Sequence, residues 1–233
     1  MYKSIIAIIF LLLSVITVSA ARPRWNAEGR FRRAYVVDGA LAALRRSPTP
    51  DATCLRRLRV GRALYLLSTR RSGDATYYFV ALTRRTRGYI DAAAVASPTI
   101  SGDDTRLLRI IGEAEGIDKI VLCQVLTNHF PRSRWCAEAL LAEGKAAEEA
   151  ARELTRRATQ RPPHTLDVEL PVIRYWRNYT GLDRYSRLGV RFRVDAETER
   201  FYYDGAAYRR ILLRYPRTPA AEVARERLSQ LEK

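Results

Sequence analysis

A repeated tetrapeptide sets the architecture of the second half of the chain. Phe130-Pro131-Arg132-Ser133 recurs 85 positions later as Tyr215-Pro216-Arg217-Thr218. Before the first copy, Ile117, Ile120, Val121, Leu122, Val125 and Leu126 keep helical spacing; before the second, Tyr208, Ile211, Leu212 and Leu213 do. After each copy comes an alanine-rich run, Ala137 to Leu154 in one case and Ala220 to Leu228 in the other. Apolar residues three and four apart define one buried helix face. Proline ends such a helix, and the Ser or Thr that follows offers an oxygen to the first N–H groups of the next. The pattern predicts two helical hairpins whose alanine faces approach closely. A further helix is expected to start at Asp103-Asp104, ahead of Leu107, Leu108, Ile110 and Ile111, with its acids at the positive end.

The two copies are separated by a different kind of sequence. Arg161-Pro162-Pro163-His164 and then Pro171 interrupt any helix, and Tyr175, Trp176, Tyr179 and Tyr185 cluster after them. Val190, Phe192 and Val194 alternate with Arg191, Arg193 and Asp195, a strand period, and Phe201-Tyr202-Tyr203 runs into Asp204-Gly205. A β-hairpin is favoured here over a last irregular helix.

Residues 34–97 are punctuated every few residues by turn signals. Tyr35-Val36-Val37 is followed by Asp38-Gly39, and Leu41 to Leu44 lead into Arg45-Arg46-Ser47-Pro48-Thr49-Pro50-Asp51. A run from Leu58 to Leu67 ends near Ser72-Gly73-Asp74, and Thr76 to Leu82 is aromatic and β-branched, as pleated strands prefer. Arg84 to Arg87 form a charged turn before Gly88-Tyr89-Ile90. Short strands at close spacing predict an all-β barrel or sandwich. Tyr77 and Tyr78, being adjacent, must face opposite sides, one toward the core and one toward solvent.

These residues support two resemblances. Leu44-Arg45-x-Ser47-Pro48 after Val36, Leu58-x-x-Gly61-x-x-Leu64, Tyr78-x-Val80, Gly88-Tyr89-Ile90 and Val95 stand in the order of the bacterial SH3-like (SH3b) domain, with Tyr89 where that family usually has Trp. The two helical units, roughly 117–150 and 203–231, resemble the tetratricopeptide-like repeats of exported envelope proteins, although 85 residues exceed that family's period of about 34. Together the resemblances imply an α+β chain. Residues 21–97 would be a small basic SH3-like barrel, and 98–233 a mostly helical, repeat-like domain with a possible β-hairpin insertion. They further imply an exported binding module of the cell envelope.

Charge narrows the choice of partner. The formal net charge is +16, and 37 of the 41 basic residues are arginine. Ala21–Ser97 holds 16 arginines against five acids, while the remainder to Lys233 nets only +4. A surface of one sign attracts polyanions. Arg84, Arg85 and Arg87 on the charged turn, together with Arg57 and Arg59 on one face of a strand of period two, form the candidate anion-binding set. The expected partners are an anionic envelope polymer or membrane surface for the barrel and a protein for the helical repeats, with nucleic acid disfavoured. The alternative is an accessory module of a cell-wall hydrolase, or such a hydrolase with an unrecognised site.

Catalytic and cofactor signatures are missing from the sequence. It contains no His-x-x-His or Cys-x-x-Cys pair, no glycine-rich phosphate loop and no Gly-x-Ser-x-Gly. Neither a catalytic residue, a metal nor a cofactor is assigned. Cys54, Cys123 and Cys136 make an odd count. A Cys123–Cys136 bridge would join residues out of level by about four positions, about 6 Å along the helix, against the Cα separation of at most about 7 Å that a disulfide needs. Three mostly buried thiols are expected instead.

The first 20 residues read as an address. Lys3 supplies a positive start, Ile5 to Val18 a nearly unbroken apolar run, and Val18-Ser19-Ala20 a cleavage site of small side chains. As a helix the 14-residue run rises about 21 Å, short of the hydrocarbon thickness of about 30 Å. The expected location is the periplasm or the extracellular space, with no membrane span after cleavage. Edman sequencing of the protein from an envelope fraction should begin at Ala21; a start at Met1 would exclude cleavage.

Overall fold

The computed structural model describes residues 32–159, 181–195, 198 and 200–231. The leader, Arg22, Arg24 and Arg30, and the aromatic residues from Tyr175 to Tyr179 lie outside them. The first half is one antiparallel sheet of seven strands: β1 (Arg32–Val36), β2 (Ala43–Arg45), β3 (Cys54–Arg57), β4 (Ala63–Ser72), β5 (Ala75–Ala81), β6 (Arg87–Asp91) and β7 (Val95–Ala96). Their spatial order is β3-β2-β6-β5-β4-β1-β7. Strand alternation sorts the side chains. Ala34, Val36, Leu44, Leu64, Val80 and Ile90 face one core, while Tyr35 and Val37 point the other way into the helices. Contrary to the expectation of one solvent-facing ring, neither tyrosine is exposed: Tyr77 is buried on one face, and Tyr78 on the other packs partly against the sheet core.

The link between β3 and β4 curls the sheet. Leu58 N–H donates to Ala42 O at 2.8 Å, Gly61 N–H to Val36 O at 2.8 Å, and Val36 N–H to Arg62 O at 3.0 Å. Gly61 also presses on the helical half. A Cβ there would stand 2.4 Å from Val121 Cγ1, and its φ of 80° lies in the left-handed region that favours glycine.

The second half contains α1 (Asp103–Glu113), α2 (Gly116–His129), α3 (Cys136–Thr159), α4 (Leu182–Arg187), α5 (Ala206–Arg214) and α6 (Pro219–Leu231). The expected hairpin is present as β8 (Phe192–Asp195) paired antiparallel with β9 (Arg200–Tyr203). The two repeated turns share their hydrogen bonds. Phe130 N–H reaches Leu126 O at 3.0 Å and Ser133 N–H reaches Phe130 O at 2.9 Å; Tyr215 N–H reaches Ile211 O at 2.7 Å and Thr218 N–H reaches Tyr215 O at 3.2 Å. In the first copy α3 begins only at Cys136, and Ser133 Oγ accepts from Trp135 N–H and donates to Asp104 of α1.

The expectation of three buried thiols is corrected. All three cysteines are free, but only Cys123 and Cys136 are buried; Cys54 is exposed because β3 is the outermost strand and all four of its residues face solvent. Glu148, beside the exposed Glu149 on α3, is partly covered and accepts the Tyr208 hydroxyl at 2.5 Å.

The hairpins meet where α3 passes α5. Tyr208 is fully buried against Gly144, where a Cβ would stand 2.3 Å from Tyr208 Cε1. Replacing glycine by alanine inside a helix ordinarily stabilises by about 1 kcal/mol. Gly144→Ala should reverse that sign and lower stability by about 2 kcal/mol through overpacking, as urea unfolding would report. A gain in stability would mean that α3 and α5 are not in this close contact.

Candidate anion-binding surface

Arg84 and Arg85 stand on a tight turn built by Thr83. Leu82 N–H donates to Thr86 O at 2.9 Å, and Thr83 Oγ1 accepts from the N–H groups of Arg85 and Thr86. With the backbone donors satisfied inside the turn, the side chains project outward. Both are exposed, as is Arg87, which opens β6.

Arg57 and Arg59 do not join them. Arg57 ends β3, and Arg59 lies beyond the strand, after the buried Leu58, so the expected shared strand face does not exist. The sheet also separates the two groups. Arg57 is opposite Ala43, and Arg45 is opposite both Cys54 and Tyr89, which places Arg57 and Arg87 on either side of that row. Four strand positions between their levels amount to about 13 Å. Arg57 Nη1 turns toward Ala40 O at 3.5 Å. Arg59 instead lines a groove with Arg184 and Arg187 of α4. Sequence reasoning missed the α4 pair, although arginines three apart on a helix share a face.

Three carboxylates of the sheet region bond locally. Asp38 accepts from the N–H groups of Ala40 and Leu41, and Asp91 from that of Ala93. Asp51 is held below the ordinary carboxylate value by a hydrogen bond from the Thr49 side chain and one from its own backbone. Among the described residues, Arg59, Arg84, Arg85 and Arg87 form no ion pair. Here three of the acids bond turn N–H groups or local side chains, and the arginine turn has no carboxylate in direct contact with it among the described residues.

The titratable groups inside the molecule serve packing. Glu143 of α3 is 5% exposed and accepts a hydrogen bond from Gln124 Nε2 at 2.9 Å, with Arg210 of α5 at 3.8 Å. Burial pushes its carboxyl above the ordinary value. Its signal was present in the sequence, since position 143 follows Leu140 by three and precedes Ala147 by four on the buried face. His129 stacks on Tyr35 with ring centroids 4.0 Å apart, and burial lowers its pKa. Among the described residues no group of His, Cys, Asp or Glu could hold a metal ion, and no helix is long and apolar enough to cross a membrane. Comparison with protein-family models, curated proteins and solved structures finds no match for the chain.

Glu143 makes a pH prediction. A carboxyl whose folded pKa is raised binds its proton more tightly when folded. Its contribution is therefore fully present below its unfolded value near 4.5 and is lost as pH rises through the folded value. Glu143→Gln removes that loss, so its thermal midpoint should gain on the parent as pH rises from about 4 to about 7. Parallel pH profiles for the two proteins would exclude a buried, proton-holding Glu143.

Proposed function

We propose that the chain is an exported, non-enzymatic binding protein. In this reading residues 21–97 form an SH3-like barrel that contacts anionic envelope material, and residues 98–233 form a tetratricopeptide-like domain that meets a protein partner. The supporting observation is the arginine turn: Arg84, Arg85 and Arg87 are exposed and form no ion pair among the described residues, while Asp38 and Asp91 bond backbone N–H groups. A guanidinium offers carboxylate or phosphate a planar fork of donors, and a turn presents it without crowding.

Each basic side chain near an anionic surface contributes about 1 kcal/mol at moderate salt. Replacing Arg84, Arg85 and Arg87 together by alanine in the full chain should weaken binding to purified wall polymer or anionic vesicles by a factor on the order of 100 at low salt. The parent's affinity should fall steeply as salt rises. DNA in competition with wall polymer separates a general polyanion binder from an envelope binder, since salt dependence is common to both. If the full chain binds neither wall polymer nor vesicles at low salt, or if the triple variant binds as the parent does, the arginine turn is not the contact.

A further inference from the structure

A groove of about 540 Å³ lies where the sheet meets the helices, within the range of about 300–1,000 Å³ typical of ligand sites. Its lining is mixed, with aliphatic side chains from Leu58 and Val60 of the sheet side, Val121 of α2 and Leu188 just after α4. Arg59 stands on the sheet side and Arg184 and Arg187 on the α4 side, with Asp118 of α2 also on the rim. Among the described residues Arg59 and Arg184 form no ion pair. Arg187 holds Asp183 at 2.6 Å, but with 78% of its side chain exposed that pair is weak and open to competition.

Both walls are fixed to α2 by separate contacts. Gly61 seats the sheet side on Val121. On the other side, Gln124 Nε2 donates to Leu188 O at 2.8 Å and to Glu143 Oε1 at 2.9 Å, tying the end of α4 to α2 and α3. The groove is therefore formed before any ligand arrives, which lowers the ordering cost of binding.

We infer that this groove docks an acidic, aliphatic peptide segment of a partner protein. The chemistry separates that occupant from a dense polyanion. The arginines want carboxylates, the aliphatic lining wants aliphatic side chains, and Asp118 can accept the N–H groups that a peptide backbone supplies and a polyphosphate lacks. A polyphosphate offers nothing to cover those aliphatic side chains. The inference rests on the binding-protein reading above, but its site shares no residue with the turn of Arg84, Arg85 and Arg87.

The test pans a phage library of random dodecapeptides against the full chain, then measures the selected peptide, synthesised with a fluorophore, by anisotropy. Selected peptides should be enriched in Asp or Glu beside Leu, Ile or Val. The Arg59→Glu/Arg184→Glu variant should lose at least about tenfold in affinity. Arg59→Gln/Arg184→Gln, which adds no repulsive charge and perturbs folding least, should lose less but still measurably. The Arg84→Ala/Arg85→Ala/Arg87→Ala variant should bind the peptide as the parent does, which keeps this result distinct from the fate of the envelope reading. Selection without acidic and aliphatic enrichment, or equal binding by the Gln variant, would overturn the proposal. So would displacement of the peptide by phosphatidylglycerol vesicles or inorganic polyphosphate whose own binding depends equally on Arg59 and Arg184, since the groove would then be a general anion site.

Discussion

Asp103 joins the two halves of the molecule. It is 7% exposed, and its Oδ2 accepts from Ser97 N–H at 2.8 Å. Its Oδ1 accepts from Arg106 at 3.2 and 3.1 Å. Arg106 reaches on to the carbonyl of Ala93 at 2.9 Å and to that of Val95, while Ser97 Oγ donates to Arg33 O at 2.7 Å. A buried charge is tolerated only when its hydrogen-bonding capacity is filled, and this one is filled by groups from the sheet's last strand and the first helix. The same contacts settle an edge. β7 ends the sheet, and the Arg106 guanidinium covers the Val95 carbonyl on its outer edge, where another strand could otherwise pair. The opposite edge, β3, stays open. Around Asp103 the apolar surfaces merge: Tyr35, Val37 and Ala96 share a cluster with Leu107, Ile111 and Leu126. The sheet and the helices thus meet through packed side chains.

The local patterns were readable and the pairings were not. Helical hairpins follow from residues three and four apart and from a turn whose proline ends one helix, so both copies could be placed from the sequence. The alternation from Val190 to Asp195 likewise marked β8, because a strand writes its period in its own residues. Cys54 shows the limit. Cysteine is among the most buried residue types, and Cys123 and Cys136 obey that tendency. Cys54 does not, because exposure there depends on β3 having no outer neighbour, a property of strand order rather than of residues 54–57. Arg57 and Arg59 fail for the same reason. The period-two argument assumed a strand through Arg59, but the chain leaves β3 after Arg57 to bond Leu58 back to Ala42.

Charge shows a different kind of legibility. Counting arginines located the basic half of the chain, but not which arginines lack a counter-charge. That depends on the acids, and three of the sheet's aspartates act locally: Asp38 and Asp91 on the N–H groups of the residues that follow them, and Asp51 with Thr49 and its own backbone. Aspartate at a turn is a familiar local preference. Reading Asp38-Gly39 as a turn signal therefore already implied that Asp38 would bond the N–H groups that follow it rather than an arginine.

The groove at the junction was invisible for a further reason: it depends on α2 serving three neighbours at once. Ile120 faces the cluster under α5 and α6, Leu122, Val125 and Leu126 face the cluster shared with the sheet, and Val121 meets Gly61. A helix that is apolar nearly all round belongs at the centre of a structure rather than on its surface, and the run Ile120-Val121-Leu122-Cys123-Gln124-Val125-Leu126 has that character. Its one polar member, Gln124, spends its side-chain amide on Leu188 and Glu143. A central helix of this kind positions whatever packs on each side of it, however far apart those pieces are in sequence. Arg59 and Arg184 come to line one groove because each stands close to a residue that α2 holds, Gly61 on one side and Leu188 on the other. The burial of α2 could be read from its own residues. The surface elements it brings together could not, because that information lies in its partners.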